Sequence, residues 1–207
     1  MGRFITLDGV DGGGKSTQVQ LLCEWLQARG KTCQAFRDPG STRLGEALRE
    51  ILLHRQEIPL AANSEMLLYM ASRAQLVTEQ LRPALDVYDF VITDRFLLAN
   101  VVYQGSAGGL ATETIWQVGR IATGGLAPDL TIVLDLPVEV AANRIARSRD
   151  RLESRGQAYF ECVRQGFLAE HPNAGGPSVV VDATQSIDII HAHITASIER
   201  LWPDCGC

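Results

Sequence analysis

The sequence predicts an α/β fold: a five-stranded parallel sheet with helices on both faces. Three observations carry this. Strand-like and helix-like segments alternate along the chain. The strand-like segments are short, unbroken apolar runs, as in strands buried on both faces. Helical periodicity separates each strand from the next, which is the pattern of parallel strands joined by crossover helices.

The first strand is expected at residues 3–7, around Phe4-Ile5-Thr6-Leu7. Residues 15–29 put Val19, Leu22, Cys23 and Leu26 on one helical face, and Gly30 supplies the stop. A second strand over 32–36 ends at the turn Asp38-Pro39-Gly40. Residues 42–53 and 64–85 read as helices, with Asn63 as N-cap of the second. The third strand is 90–93, a helix covers 112–123, and the fourth strand is the apolar run 130–136. Pro137 opens the next helix at its first position, where a missing N–H leaves nothing unsatisfied. Residues 158–170 are helical, 171–177 form a Pro/Gly-rich surface loop, 178–181 are the last strand, and 186–202 a capped closing helix. In sheets of this kind ligands sit at the carboxyl ends of the strands. The chemistry is therefore expected just after residues 7, 36, 93 and 136.

The chain has 207 residues, 46% hydrophobic and 21% charged, with a net charge of −5. That is one domain, residues 1–207, large enough to bury a core without staples. The acidic balance argues against a nucleic-acid partner. The densest apolar run, Met66 to Ala71, is far short of the ~20 residues of a membrane span, and no leader precedes the first strand. A cytoplasmic location with no membrane partner is expected. Five cysteines, an odd number, argue against a disulfide framework, and Cys205-Gly206-Cys207 reads as a frayed end.

Gly9-Val10-Asp11-Gly12-Gly13-Gly14-Lys15-Ser16 fits G-x-x-x-x-G-K-[ST] in full, between a predicted strand and a predicted helix. Glycines let successive backbone N–H groups face one anion, and the helix start adds its positive dipole end. Lys15 would reach the β- and γ-phosphates, the Ser16 hydroxyl would hold Mg²⁺, and Thr17 follows in the first turn. The pattern implies a nucleoside triphosphate with Mg²⁺. A GTPase switch would need Asn-Lys-x-Asp, yet none of Asn63, Asn100, Asn143 and Asn173 is followed by lysine. A large ATPase needs more chain. A kinase of nucleotides or small molecules fits, and a non-catalytic nucleotide-binding module is the remaining reading.

Cations gather at the other strand ends. Arg37 follows strand two, and Asp94-Arg95 follows strand three, with Tyr103-Gln104-Gly105 soon after. Arg144, Arg147, Arg149, Arg151 and Arg155 crowd a stretch whose only acids are Asp150 and Glu153, which reads as a phosphate-gripping lid at about 144–156.

With these motifs in this order, the sequence resembles the thymidylate kinases from Phe4 to about Asp182. The phosphate loop, Asp38-Pro39-Gly40-Ser41-Thr42, Asp94-Arg95 with Tyr103-Gln104-Gly105, Pro128-Asp129-Leu130-Thr131 and Asp150-Arg151-Leu152-Glu153 carry the likeness. Many relatives have glutamate and glycine where this chain has Asp38 and Ser41. Many bacterial members also follow Tyr-Gln-Gly with Gly-Gly-Arg-Gly; here the run is Ser106-Ala107-Gly108-Gly109, without the arginine.

The resemblance implies a P-loop, adenylate-kinase-like fold, transfer of phosphate from Mg²⁺-ATP to dTMP, and a homodimer packed through helices. The same fold acting on another nucleotide or nucleoside is the alternative. An acceptor phosphate is already a dianion near neutrality, because its second pKa is ~6, so no general base is required. By resemblance Arg95 contacts the acceptor phosphate, and Asp11 the sugar 3′-hydroxyl and the metal region. Asp94 either orients Arg95 or joins the metal shell. Arg37 holds acceptor phosphate. Tyr69 and Arg73, four apart on one helix, stack on thymine and donate to its O4. Asn100 and Gln104 bond the base edge, and Tyr103 fills the space of a ribose 2′-hydroxyl. The loop has no arginine, so the lid must supply one: Arg147, Arg149 or Arg151. Arg151 alternatively supports adenine or the lid helix.

Overall fold

The computed structural model describes residues 1–144 and 156–205. Five strands form one parallel sheet: β1 Arg3–Gly9, β2 Cys33–Arg37, β3 Phe90–Asp94, β4 Leu130–Asp135 and β5 Ser178–Asp182. Their order across the sheet is β2-β3-β1-β4-β5. β1 lies between β3 and β4, in register Leu7↔Asp94 and Gly9↔Leu134. β1, β3 and β4 are almost wholly buried, as their unbroken apolar composition requires. Asp129 fixes one register: its Oδ2 accepts from the Phe4 N–H at 2.7 Å, and its own N–H donates to the Phe4 carbonyl at 2.7 Å. The Pro-Asp-Leu-Thr motif thus joins β4 to β1.

Helices α1 Lys15–Gln27, α2 Arg43–Leu53, α3 Ala62–Leu76, α4 Arg82–Val87, α5 Leu97–Asn100, α6 Thr112–Thr123, α7 Val138–Arg144, α8 Gln157–Glu170 and α9 Ile187–Leu201 flank the sheet among the described residues. α1 buries Val19, Leu22 and Leu26, the face its spacing predicts, and Gly30 ends the segment at φ +72°. Thr42 caps α2 by accepting from the Gly45 N–H at 2.9 Å, and Ser186 caps α9.

Four expectations are corrected. Ala61, not Asn63, precedes α3; the helix starts two residues earlier than expected and has no side-chain cap. The long helix expected over 64–85 is broken by a wide turn at Val77–Leu81, where the Arg82 N–H reaches the Val77 carbonyl. Pro83 lacks an N–H and its ring would strike the Glu79 carbonyl, so the wider turn absorbs it. Pro137 stands one residue before α7, its carbonyl accepting from Val140 and Ala141 at 3.0 Å each. The C-terminus is not frayed at Cys205: Cys205 is fully buried, and Arg3 donates to its Sγ at 3.2 Å and to Asp204 at 3.0 Å. Cys23, Cys33, Cys162 and Cys205 are free thiols.

Helical structure at residues 97–106 was not expected. The run Phe96-Leu97-Leu98-Ala99-Asn100-Val101-Val102 has no amphipathic period because it is buried on every side. α5 passes directly into a wide turn, Val101–Ser106, closed by the Ala107 N–H on the Val102 carbonyl at 2.9 Å.

Candidate active site

The carboxyl ends of β1, β2 and β3 open onto a cleft of about 620 Å³, lined by Lys15, Ser16, Arg37, Asp94, Arg95 and Arg144, among others. A smaller inner hollow continues from it, walled by Tyr69, Arg73, Asn100, Tyr103 and Gln104. Asp11, Asp38, Arg49 and Arg95 line both.

The phosphate loop is built as its glycines predict. Gly9 has φ +127°, and a Cβ there would lie 2.4 Å from the Leu134 carbonyl oxygen. Gly12 has φ +81°, with the Ala141 oxygen 2.9 Å from the same position. No other residue type fits either place. Val10 and Gly13 complete the curve, the Gly13 N–H donating to the Val10 carbonyl at 3.3 Å, and Gly14 (φ +88°) precedes α1. Lys15 lies across the loop, donating to the carbonyls of Gly9 at 3.1 Å and Val10 at 2.9 Å. Burial lowers its pKa, and Arg95 adds to that. Thr17, next on α1, lines the outer cleft.

The Ser16 hydroxyl donates to Asp94 Oδ2 at 2.7 Å. A hydroxyl beside a carboxylate is a hard-oxygen pair, the donor chemistry that suits Mg²⁺. Among the described residues no cluster of three or more acidic, histidine or cysteine side chains forms a protein-only metal cage.

Arg95 stands between the two hollows. Its backbone is left-handed, φ +70°, an uncommon state for a side-chain-bearing residue. The twist turns the guanidinium back under the loop. It donates to the Gly9 carbonyl at 3.1 Å, to Asp11 at 2.8 Å and to the Tyr103 hydroxyl at 3.1 Å. Burial works to lower its pKa, but Asp11, Tyr103, Asp94 and Asp8 together hold it well above the ordinary arginine range. Burial in turn raises the Tyr103 pKa, so its hydroxyl stays protonated.

Arg73 is 2% exposed. Its Nε donates to Asp38 at 2.6 Å, Nη1 to Asn100 Oδ1 at 3.0 Å and Nη2 to the Phe96 carbonyl at 3.2 Å. Burial raises the Asp38 pKa against the pull of Arg73. The unpredicted helix 97–106 puts Asn100, Tyr103 and Gln104 at i, i+3 and i+4, on one inward face. α8 braces it, with the Tyr159 hydroxyl donating to the Tyr103 carbonyl at 2.9 Å.

Arg37 lines the outer cleft from the end of β2, half exposed and forked onto Glu46 at 3.0 Å. Arg147, Arg149, Arg151 and Arg155 lie outside the described residues. Of the lid cluster, Arg144 is described: it donates to the Ala183 carbonyl at 3.1 Å and lines the cleft.

Arg49 in the site, and Glu65 and Asp8 beside it, escape the sequence reading. Arg49 donates to the Pro39 carbonyl at 3.0 Å and lines both hollows. A basic residue one turn after Gly45 and one turn before Leu53, both buried, was the available signal. Glu65 accepts from Gln104 at 2.8 Å. Asp8, one residue before the loop, is fully buried with both carboxylate oxygens unpartnered. Burial pushes its pKa up to about 6, against the pull of Arg95 and Lys15. Its position inside an apolar strand gave no sign of this.

A glycine cradle with its lysine on a parallel sheet, facing a second pocket across an arginine, defines a P-loop phosphotransferase. The comparisons identify the family. The thymidylate kinase family model matches residues 7–194. The thymidylate kinase of Rhodopirellula baltica is 48% identical over 96% of this chain and 80% of its own length. That of Chromohalobacter salexigens is 43% identical over 97% of both chains, and that of Ectopseudomonas mendocina 43% identical over 99% of this chain and 98% of its own. The chain belongs to the thymidylate kinase family.

Proposed function

We propose that the outer cleft takes Mg²⁺-ATP and the inner hollow dTMP, and that the γ-phosphate passes in line between them to give dTDP. One observation carries this reading: Arg95 bonds to the phosphate loop on one side and to the inner wall on the other. Catalysis of this transfer is alignment and charge neutralisation, because the acceptor phosphate is already a nucleophile.

Each group has a task in that scheme. The backbone N–H groups of residues 9–17 cradle the donor phosphates. Lys15 exchanges its carbonyl partners for phosphate oxygens, and Arg95 neutralises the charge shared by acceptor and transferred group. Asp11 fixes Arg95 and faces the sugar. Ser16 and Asp94 would hold Mg²⁺, which when bound neutralises phosphate charge. Arg37 and Arg49 offer cations to the acceptor phosphate. Tyr69 lies against the base, Arg73, Asn100 and Gln104 bond its edge, and Tyr103 closes the 2′ side of the sugar. The lid at about 144–156 supplies a further arginine, Arg147 or Arg149, while Arg151 serves the adenine side. Closing the site excludes water, which would otherwise take the phosphate. The working unit is the single domain 1–207, paired in a homodimer through helices; Leu67 of α3 and Ile121 of α6 are exposed apolar side chains that pairing would cover. The protein works in the cytoplasm, beside its ATP.

The test is turnover with Mg²⁺-ATP on a panel of dTMP, dCMP, dGMP, AMP and UMP. dTMP is expected to be preferred by at least tenfold in kcat/KM. Equal or better turnover of another monophosphate overturns the substrate assignment.

A further inference from the structure

We propose that Glu65, outside the base pocket's own edge contacts, fixes the direction of the hydrogen bonds along the base-reading wall and so makes the wall read thymine rather than cytosine. The inference rests on the dTMP reading above. Four buried side chains form one line. Gln104 Nε2 donates to Glu65 Oε1 at 2.8 Å, Asn100 Nδ2 donates to Gln104 Oε1 at 2.6 Å, and Arg73 Nη1 donates to Asn100 Oδ1 at 3.0 Å. All four residues are at most 4% exposed.

The two ends of this line have no freedom of sign. A carboxylate only accepts and a guanidinium only donates. Arg73 is itself locked by Asp38 and the Phe96 carbonyl. The two amides between have the same shape either way round, and only their partners decide which end is oxygen. With an acceptor at one end and a donor at the other, one arrangement satisfies every link. Turning either amide sets two donors or two acceptors face to face without water to relieve them.

The arrangement has a chemical consequence at the pocket. Asn100 is left with Oδ1 beside the Arg73 guanidinium, an acceptor next to a donor. Thymine offers the matching pair, N3–H and O4. Cytosine offers the inverse, an unprotonated N3 and an N4 amino group. An Asn100 turned to show its NH₂ would suit cytosine. Arg73 holds this amide from one end and Glu65, through Gln104, from the other. Glu65 is thus a positioning residue for specificity, acting through two amides.

The experiment uses the full chain with Mg²⁺-ATP and compares dTMP with dCMP. Glu65→Gln can still present its Oε1 to Gln104 and leaves every link satisfied. It is expected to hold the dTMP/dCMP ratio of kcat/KM within threefold of the parent. Glu65→Lys sets an obligatory donor against Gln104, so no arrangement of the two amides satisfies every link. It is expected to lower the ratio about tenfold, through KM for dTMP, with kcat within twofold. A purely structural role for Glu65 predicts equal losses on dTMP and dCMP, with the ratio unchanged. An unchanged ratio in E65K, or a ratio in E65Q below a third of the parent's, overturns the inference. Should E65K fail to fold, by circular dichroism and thermal unfolding, E65Q alone decides by the same threshold. A parent enzyme without preference for dTMP over dCMP instead overturns the underlying substrate reading, and does so before any variant is made.

Discussion

Arg73 and Asp38 form a fully buried ion pair whose partners cannot be removed singly without consequence. The resemblance to the thymidylate kinases gives Arg73 a base-reading role, and the structure adds that the same guanidinium pairs with a carboxylate on another element. Arg73→Ala is therefore expected to raise KM for dTMP and also to cost about 3–5 kcal/mol of stability, since it strands Asp38. The double variant R73A/D38A should regain stability in guanidinium unfolding while KM stays raised. Stability and recognition moving together in both variants would refute the double role. At the loop, Lys15→Ala is expected to lower kcat by about 10²–10³-fold. A kcat within tenfold of the parent would mean that this lysine does not meet the transferring phosphate.

α2 connects an ordinary capping interaction to the site. Thr42 accepts from the Gly45 N–H and begins the helix that carries Arg49 into the cleft. Thr42→Ala is expected to cost about 1 kcal/mol, read as a fall in Tm of ~2–4 °C, together with a raised KM for dTMP. A lowered Tm with unchanged KM would separate α2 from acceptor binding. The segment 97–106 makes the converse point. Its wide turn carries Tyr103 and Gln104, and α5 carries Asn100 at helical spacing from them; such turns often occur at functional sites.

Across the molecule, stability is tied to pH through Asp8 at the sheet's centre. Its folded pKa, about 6, lies above the ordinary aspartate value of 3.8. The folded state therefore holds its proton more tightly than the unfolded state between those values. Raising the pH through this window removes stability, to an extent of about 1–3 kcal/mol by linkage. Asp182 acts with the opposite sign and lower down: its pKa, held at about 2 by Gln185 and Thr184, adds stability as pH rises from about 2 to 4. Guanidinium unfolding at pH 4.5 and 7.5 should show a loss in the parent that is reduced in Asp8→Asn. Equal pH dependence in both proteins would mean that Asp8 pairs with a buried cation strongly enough to cancel its desolvation.

The sequence by itself determined the sheet, the order of its strands and helices along the chain, and the phosphate loop. Each is a local pattern: unbroken apolar runs, helical periodicity, and glycines whose backbone states other residues cannot adopt. It also placed Arg95 and Asp94, because a strand end in a parallel sheet is a position that spacing reveals. Tertiary structure alone decided which groups meet across elements. Asp38 with Arg73 joins residues 35 apart, and Glu65 with Gln104 joins residues 39 apart. Such pairs leave no periodic trace, since nothing at one partner's position in the chain points to the other until the fold brings them together. The helix at 97–106 and the raised pKa of Asp8 were hidden for the same reason: both arise from burial on every side, which is a property of the packed molecule and of no single stretch of chain.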